Sequence, residues 1–274
     1  MAKLRLISIF LLAAVSAKAD DVLTAEAIMA RVATNQDSSE KLRSQYIYHQ
    51  HVHVISKKPG GKVLREETAD YHVVPKPDHT ERTLEQLTGR YWHKGKYQAF
   101  SGEPVPEADS TDGELVHDFR EDVTDEKSKD GLAHDLFPLT SDEQKEYKFR
   151  LIDHEPFEGR PAYHVAFTPK DAGDTDWAGE AYIDAREFQP IYVFTKLAQP
   201  LPFGVRKFLG TDLPGLGFAV HYRRQEDGAW FPSSLGSEFR IRALFFFNRT
   251  MTVSLENKDF EHTHVQTKIT GVDQ

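Results

Sequence analysis

What most constrains this chain is a change of hydrophobic period. From Leu42 onward ten segments in series alternate apolar and polar residues at period two: Leu42 to Ser56, Lys62 to Val74, Arg90 to Phe100, Tyr147 to His154, Pro161 to Thr168, Trp177 to Asp184, Pro190 to Leu197, Phe218 to Gln225, Trp230 to Ala243 and Phe245 to Phe260. Parallel pairing would need a helical crossover between neighbours, and no helical pattern separates them, so the strands are read as antiparallel. The punctuation agrees: Lys58-Pro59-Gly60-Gly61, Lys94-Gly95, Phe157-Glu158-Gly159-Arg160 and Glu226-Asp227-Gly228 are hairpin turns by composition. So many strands in one sheet twist strongly and curl, giving a mainly β fold with a single, strongly curved antiparallel sheet that tends toward a barrel or half-barrel. One helix precedes it. Ala27, Ile28, Val32 and Ala33 recur at helical spacing after Thr24, and the pattern fades near Asn35.

Residues 1–19 are set apart. Lys3 and Arg5 precede an apolar run from Leu6 to Val15, and Ala17-Lys18-Ala19 puts small residues where a signal peptidase cuts, so this segment reads as a secretory signal peptide. The run is too short for the roughly 20 residues that span a bilayer. Residues 20–274 then form one domain, with 31 Lys and Arg against 43 Asp and Glu, a formal charge of −12. That acidity argues against nucleic acid, or an anionic membrane, as the general partner. The chain has no Cys, which removes disulfides, thiol nucleophiles, Cys-based zinc sites and a lipidated amino terminus together. An exported chain without cysteine fits the bacterial periplasm.

Two stretches break the strand pattern. Residues 103–135 are acidic and carry Pro104, Pro106, Gly113 and Gly131, reading as a solvated insertion with at most one short helix. Residues 199–217 mix Pro and Gly with Leu201, Phe203, Phe208, Leu209, Leu213 and Leu216. A loop this apolar covers something, and the segment reads as a lid, a membrane-dipping hairpin or packing over one sheet end.

Alternate positions sort the strands into two faces. One carries Phe149, Val165, Phe167, Trp177, Ile183, Phe218, Val220, Phe239, Phe245, Phe247 and Met251, the other Lys148, Arg150, His164, Glu180, His221, Glu238 and Arg240. The apolar face is wider than one short helix can cover, so it either closes on itself as core or shelters a ligand. Arg249 shares the parity of Phe247 and Met251, which puts a guanidinium on that face unless a bulge turns it outward. His49, His51 and His53 share one strand face about 6.6 Å apart. A metal could be held by such a trio, although metal sites draw ligands from several elements, and a solvent-facing polar strand is the simpler reading. No nucleophile elbow, His-Glu-x-x-His, phosphate loop or dinucleotide fingerprint is present. Asp184 and Glu155 read as turn carboxylates.

Ala162-Tyr163-His164-Val165-Ala166-Phe167-Thr168-Pro169-Lys170, then Trp177-Ala178-Gly179-Glu180-Ala181-Tyr182-Ile183-Asp184, then Gln189-Pro190 resemble the LolA-like outer-membrane lipoprotein-sorting family, and Phe231-Pro232 after Trp230 is similar to the aromatic-Pro that opens a late strand there. The resemblance implies an incomplete barrel whose concave apolar face shelters the acyl chains of a lipoprotein or lipid in the periplasm, without a cofactor and without catalysis. It also implies inner-membrane donor and outer-membrane acceptor proteins, and an inward arginine latching a lid, for which Arg249 is the position to compare. A protein-binding sensor module on the same fold, or a metal-dependent hydrolase built on the histidine strand, are the alternatives.

Overall fold

The computed structural model describes residues 23–76, 79–124, 132, 137–171, 173, 176–200, 206–207, 212–244 and 246–263. The segment read as a signal peptide lies outside them, as do Leu201, Phe203, Phe208, Leu209 and Phe245.

Helix α1 (Ala25–Arg43) opens with Thr24, whose Oγ1 accepts a bond from the Ala27 N–H at 3.2 Å. Ile28, Met29 and Val32 are buried in the core. The helix continues two turns past Asn35, where the apolar period fades, because polar side chains hold its second half to the sheet. Asn35 Nδ2 donates to the Glu187 carbonyl at 2.7 Å, Gln36 Nε2 to Gln189 Oε1 at 2.5 Å, and Arg43 Nη1 to the Trp230 carbonyl at 3.4 Å.

Eleven strands follow: β1 (Tyr46–Lys57), β2 (Val63–Pro75), β3 (Thr80–His93), β4 (Lys96–Ser101), β5 (Tyr147–Asp153), β6 (Ala162–Pro169), β7 (Trp177–Asp184), β8 (Pro190–Leu197), β9 (Gly217–Arg224), β10 (Trp230–Ala243) and β11 (Phe247–His262). They form one antiparallel sheet in the order β4-β3-β2-β1-β11-β10-β9-β8-β7-β6-β5. It is open: β4 and β5 are its two edges, although they follow one another in the chain. Residues 102–146 must therefore cross the whole sheet, ten inter-strand spacings or about 48 Å along its surface. That crossing carries helix α2 (Thr111–Asp122).

Register explains how one face becomes continuous. Leu87, Ala69, Val52, Leu255, Leu235, Val220, Val193, Ala181, Val165 and Leu151 are partners in successive strand pairs from β3 to β5, so one apolar row runs across ten strands. All but Leu151 are buried. Pairing between side chains directly opposite each other is what stabilises such a sheet, and a one-residue slip anywhere would turn a strand's share of the row to solvent. No helix among the described residues is long and apolar enough to cross a membrane.

Candidate functional site

The site is built where α2 meets the inner face of β1 and β2. Ser110 caps the helix, its Oγ accepting from the Gly113 N–H at 3.1 Å, and Asp112 and Glu114 sit in the first turn, where the helix dipole favours negative charge. Val116 is fully buried, and Phe119 meets Phe239 edge to face with ring centroids 5.1 Å apart. Val123, Leu132, Phe137 and Leu139 are buried in the same core. The acidic stretch 103–135, expected to be a solvated insertion, thus supplies the cover of the inner face. Glu114, Asp118 and Asp122 lie along the outward side of α2 and hide, in a sequence reading, the Val116, Phe119, Val123 spacing beneath them.

Most of what fastens α2 is polar. Arg249 lies on the inner face, as its parity implies, and its Nε and Nη2 donate to the two Asp112 oxygens at 2.7 and 3.0 Å. The Ser56 hydroxyl donates to Asp112 Oδ1 at 2.5 Å, and the guanidinium lies over the Phe247 ring at 4.5 Å. At the other end Tyr71 Oη donates to Glu121 Oε1 at 3.0 Å, and Arg82 Nη1 reaches the carbonyls of Glu121 and Thr124 at 3.2 and 3.0 Å. Burial, with the Glu121 charge beside it, pushes the Tyr71 phenol from its ordinary 10.0 up to about 12.

Between these two fastenings lies a buried ion cluster. Arg65 and Glu67 share the inward parity of Ala69, Tyr71 and Val73 on β2, and their side chains are 1% exposed. Arg65 Nε donates to Glu67 Oε1 at 2.7 Å, Arg120 from α2 stands 3.2 Å from Glu67 Oε2, and Arg65 Nη1 donates to the Pro106 carbonyl at 3.0 Å. Two guanidinium groups thus share one fully buried carboxylate, and Arg65 Nη2 has no hydrogen-bond partner among the described residues. Beside the cluster opens a cleft of about 490 Å³, lined by Arg65, Glu67, Val105, Gly113, His117 and Arg120 among others. Arg65, Glu67, Asp112 and Arg120 were not singled out from the sequence. The parity of β2 was the signal that could have found the first two, since Ala69, Tyr71 and Val73 fix which positions point inward.

The apolar positions expected to line a cavity lie on the inner face. Val165, Phe167, Ile183, Val220, Phe239 and Met251 are buried in the main core, and Phe149, Trp177, Phe218 and Phe247 pack against it half-buried. None of them lines the cleft beside the ion cluster. Of the expected lid at 199–217, Leu201, Phe203, Phe208 and Leu209 lie outside the described residues. Asp212 pairs with Arg242 and the Arg240 N–H bonds to the Pro214 carbonyl, so residues 212–214 prolong β9 along β10, with Leu213 and Leu216 against the core. The helices packed against the inner-face core are α1 and α2.

The three strand histidines face outward and do not converge. His49 pairs with Glu85 at 3.1 Å, His51 with Asp70 at 2.7 Å and His53 with Glu66 at 2.9 Å, each taking its own carboxylate from β2 or β3. Among the described residues no group of three or more His, Asp or Glu is placed to hold a metal ion. Burial opposes it, yet hydrogen bonds from His53 and Arg90 hold the Glu66 carboxyl below its usual range. Asp184 accepts from the N–H groups of Arg186 and Glu187 at 2.8 and 2.9 Å, as a turn carboxylate does.

This arrangement can be set beside known proteins. Its fold is similar to that of LolA-superfamily structures. A LolA superfamily protein from Nitrosomonas europaea is 13% identical over 88% of this chain and 94% of its own, with a TM-score of 0.37. A domain assigned to outer membrane lipoprotein sorting from Vibrio parahaemolyticus is 12% identical over 88% and 95%, with a TM-score of 0.38. A DUF1329 family protein from Desulfovibrio piger is 12% identical over 88% and 94%, with a TM-score of 0.39. No protein-family model matches the chain, and no curated protein matches it.

Proposed function

We propose that this protein is a non-catalytic periplasmic carrier that shelters the acyl chains of a lipoprotein or lipid against the inner face of its sheet, with α2 as the cover. The observation that carries the reading is the mismatch between cover and floor. The floor is an uninterrupted apolar row, whereas α2 is fastened mainly through Asp112, Glu121 and Arg120. Polar contacts to charged groups exchange for water at a net cost of about 1.5–3 kcal/mol each. An apolar floor uncovered by that exchange gains about 0.8 kcal/mol for each methylene it takes from water. A cover of this kind can therefore lift and let an acyl chain replace it. Val116 and Phe119 then give up contacts that the chain supplies.

Partitioning is the whole activity in this reading, and cargo passes to whichever acceptor offers a more apolar site. The test is to purify the protein under mild conditions and measure co-purifying acyl species by mass spectrometry, then uptake of a fluorescent fatty acid by the emptied protein. Near-stoichiometric acyl species, reduced in a Met251→Asp variant, would support the carrier. A lipid-free protein that also takes up no fatty acid would end it, and the urea midpoint of Met251→Asp checks that the variant is folded.

A further inference from the structure

We infer that one end of the sheet docks on the surface of an anionic phospholipid bilayer through three adjacent hairpin tips. The inference starts from a turn with the wrong residues. The β10–β11 hairpin pairs Ala243 with Phe247, leaving Leu244 and Phe246 as the described residues of its tip. Tight turns favour Gly, Asn, Asp or Pro, and other turns of this chain obey: Gly60 and Gly61, Gly95, Gly159 and Gly228 all take positive φ. Here Leu244 takes φ +52°, a backbone conformation that bulky side chains disfavour and that it shares with Lys94, Glu107, Glu158, Phe188 and Asp259, but with no Gly beside it. Leu244 is 55% exposed and Phe246 83%, the most exposed large apolar side chain among the described residues. Neither turn geometry nor packing accounts for Leu244 and Phe246, and a strained position of this kind is a pointer to function.

The surroundings name the partner. Lys57 pairs with Thr250, so the β1–β2 turn stands beside the β10–β11 tip, and a groove between them is lined by Lys57, Lys58, Gly60, Arg240 and one acid, Glu238, which stands 3.7 Å from the Lys57 ammonium. The β3–β4 tip follows, where Lys62 lies 3.4 Å above the Trp92 ring and Trp92 meets Tyr97, itself 44% exposed. Lys57–Lys62, Arg90–Tyr97 and Arg240–Asn248 together hold eight Lys or Arg and no Asp or Glu. At the opposite end of the sheet, Asp153–Pro161, Asp184–Pro190 and Arg224–Trp230 hold seven Asp or Glu and three Arg.

Phe and Leu at the tips, Trp and Tyr behind them and a shoulder of Lys and Arg form the order in which a protein meets a bilayer: acyl boundary, headgroups, anionic surface. The overall acidity does not oppose this, since charges act on the surface only within a Debye length of about 8 Å. Of the acids at this end, Asp212 lies beside Arg242, its partner across an isolated bridge, whereas Asp171 and Asp176, in the β6–β7 turn, flank strands three or more spacings from β10, about 14 Å or farther.

Flotation of the chain from Asp20 onward, which holds every described residue, with phosphatidylcholine vesicles with and without phosphatidylglycerol tests the inference. The expected result is flotation with the phosphatidylglycerol vesicles that added salt weakens. Phe246→Asp, and Lys58→Glu with Arg242→Glu, should each lower binding about tenfold. All these side chains are exposed, and circular dichroism checks that the variants fold. Failure to float, flotation unchanged in Phe246→Asp, or a dimer that Phe246→Asp dissolves in place of vesicle binding would each overturn it. The inference is independent of the carrier reading: if the emptied protein takes up no fatty acid yet still floats, the carrier fails and the docking surface stands.

Discussion

Asp112 is the residue on which the cover turns. Its two oxygens take three donors from two strands of the sheet, Arg249 Nε and Nη2 and the Ser56 hydroxyl. Asp112→Asn keeps the size and the helix but removes the charge, so α2 should loosen by about 1.5–3 kcal/mol, the range for hydrogen bonds to charged groups. Faster amide exchange confined to α2 is the expected readout, and exchange unchanged there would show that Arg249 is no latch. Glu67→Gln is the harsher change, because it leaves Arg65 and Arg120 buried against a neutral amide. Removing one partner of a buried pair costs about 3–5 kcal/mol, so its urea midpoint should fall far more than that of Asp112→Asn. Tyr71 adds a pH dependence. Its folded pKa is raised to about 12, so its contribution is intact below 10.0 and is lost as pH rises through the folded value. Between pH 10 and 12 the wild type should therefore lose more unfolding free energy than Tyr71→Phe, the other tyrosines being common to both; equal losses would refute the assignment.

Helix α2 shows at the scale of one element why close approach matters. A Cβ on Gly113 would fall 2.3 Å from the Glu107 carbonyl oxygen and 2.6 Å from that of Ala108, both backbone atoms that cannot swing away. Gly113→Ala, which raises helix propensity by about 1 kcal/mol, should nevertheless lift the first turn and open the cleft, read as increased fatty-acid uptake or as protease cleavage near residues 103–113. A more stable, more closed protein would contradict the packing. The same helix marks the limit of the sequence reading. Strands β6, β7, β8 and β10 were legible to within a residue or so, because both faces of each announce themselves. Most of β3 was not: Thr80 to Gly89 holds only Leu84 and Leu87 as apolar residues, so no alternation is visible. The second half of α1 was hidden for a related reason, since Gln36, Ser39 and Arg43 take buried positions that the apolar period assigns to hydrophobes. Arg249 was legible by parity. Its partner was not, because nothing local says that an acidic crossing segment returns over β1 and β2.

In the whole molecule, one topological fact joins cover and floor. Because β4 and β5 sit at opposite edges, the chain between them has to traverse the sheet, and along the inner face it can bury Val116, Phe119, Val123 and Leu139. The cover is thus a crossover tethered at both edges, free to lift without leaving. A tethered cover makes ligand binding visible as stability. If an acyl chain binds the folded protein alone, then at a free concentration one hundred times its dissociation constant it adds about 2.7 kcal/mol. For a chain of this size each kcal/mol raises Tm by about 2–4 °C, so a saturating fatty acid should raise Tm by about 5–10 °C. Asp112→Asn separates the cover from the floor in the same measurement. The variant starts less stable, yet it spends less free energy opening, so its dissociation constant should be lower and its ligand-induced Tm rise at a fixed fatty-acid concentration larger than that of the wild type. Equal rises in both proteins would mean that the acyl chain enters without lifting α2, by the open flank of the sheet.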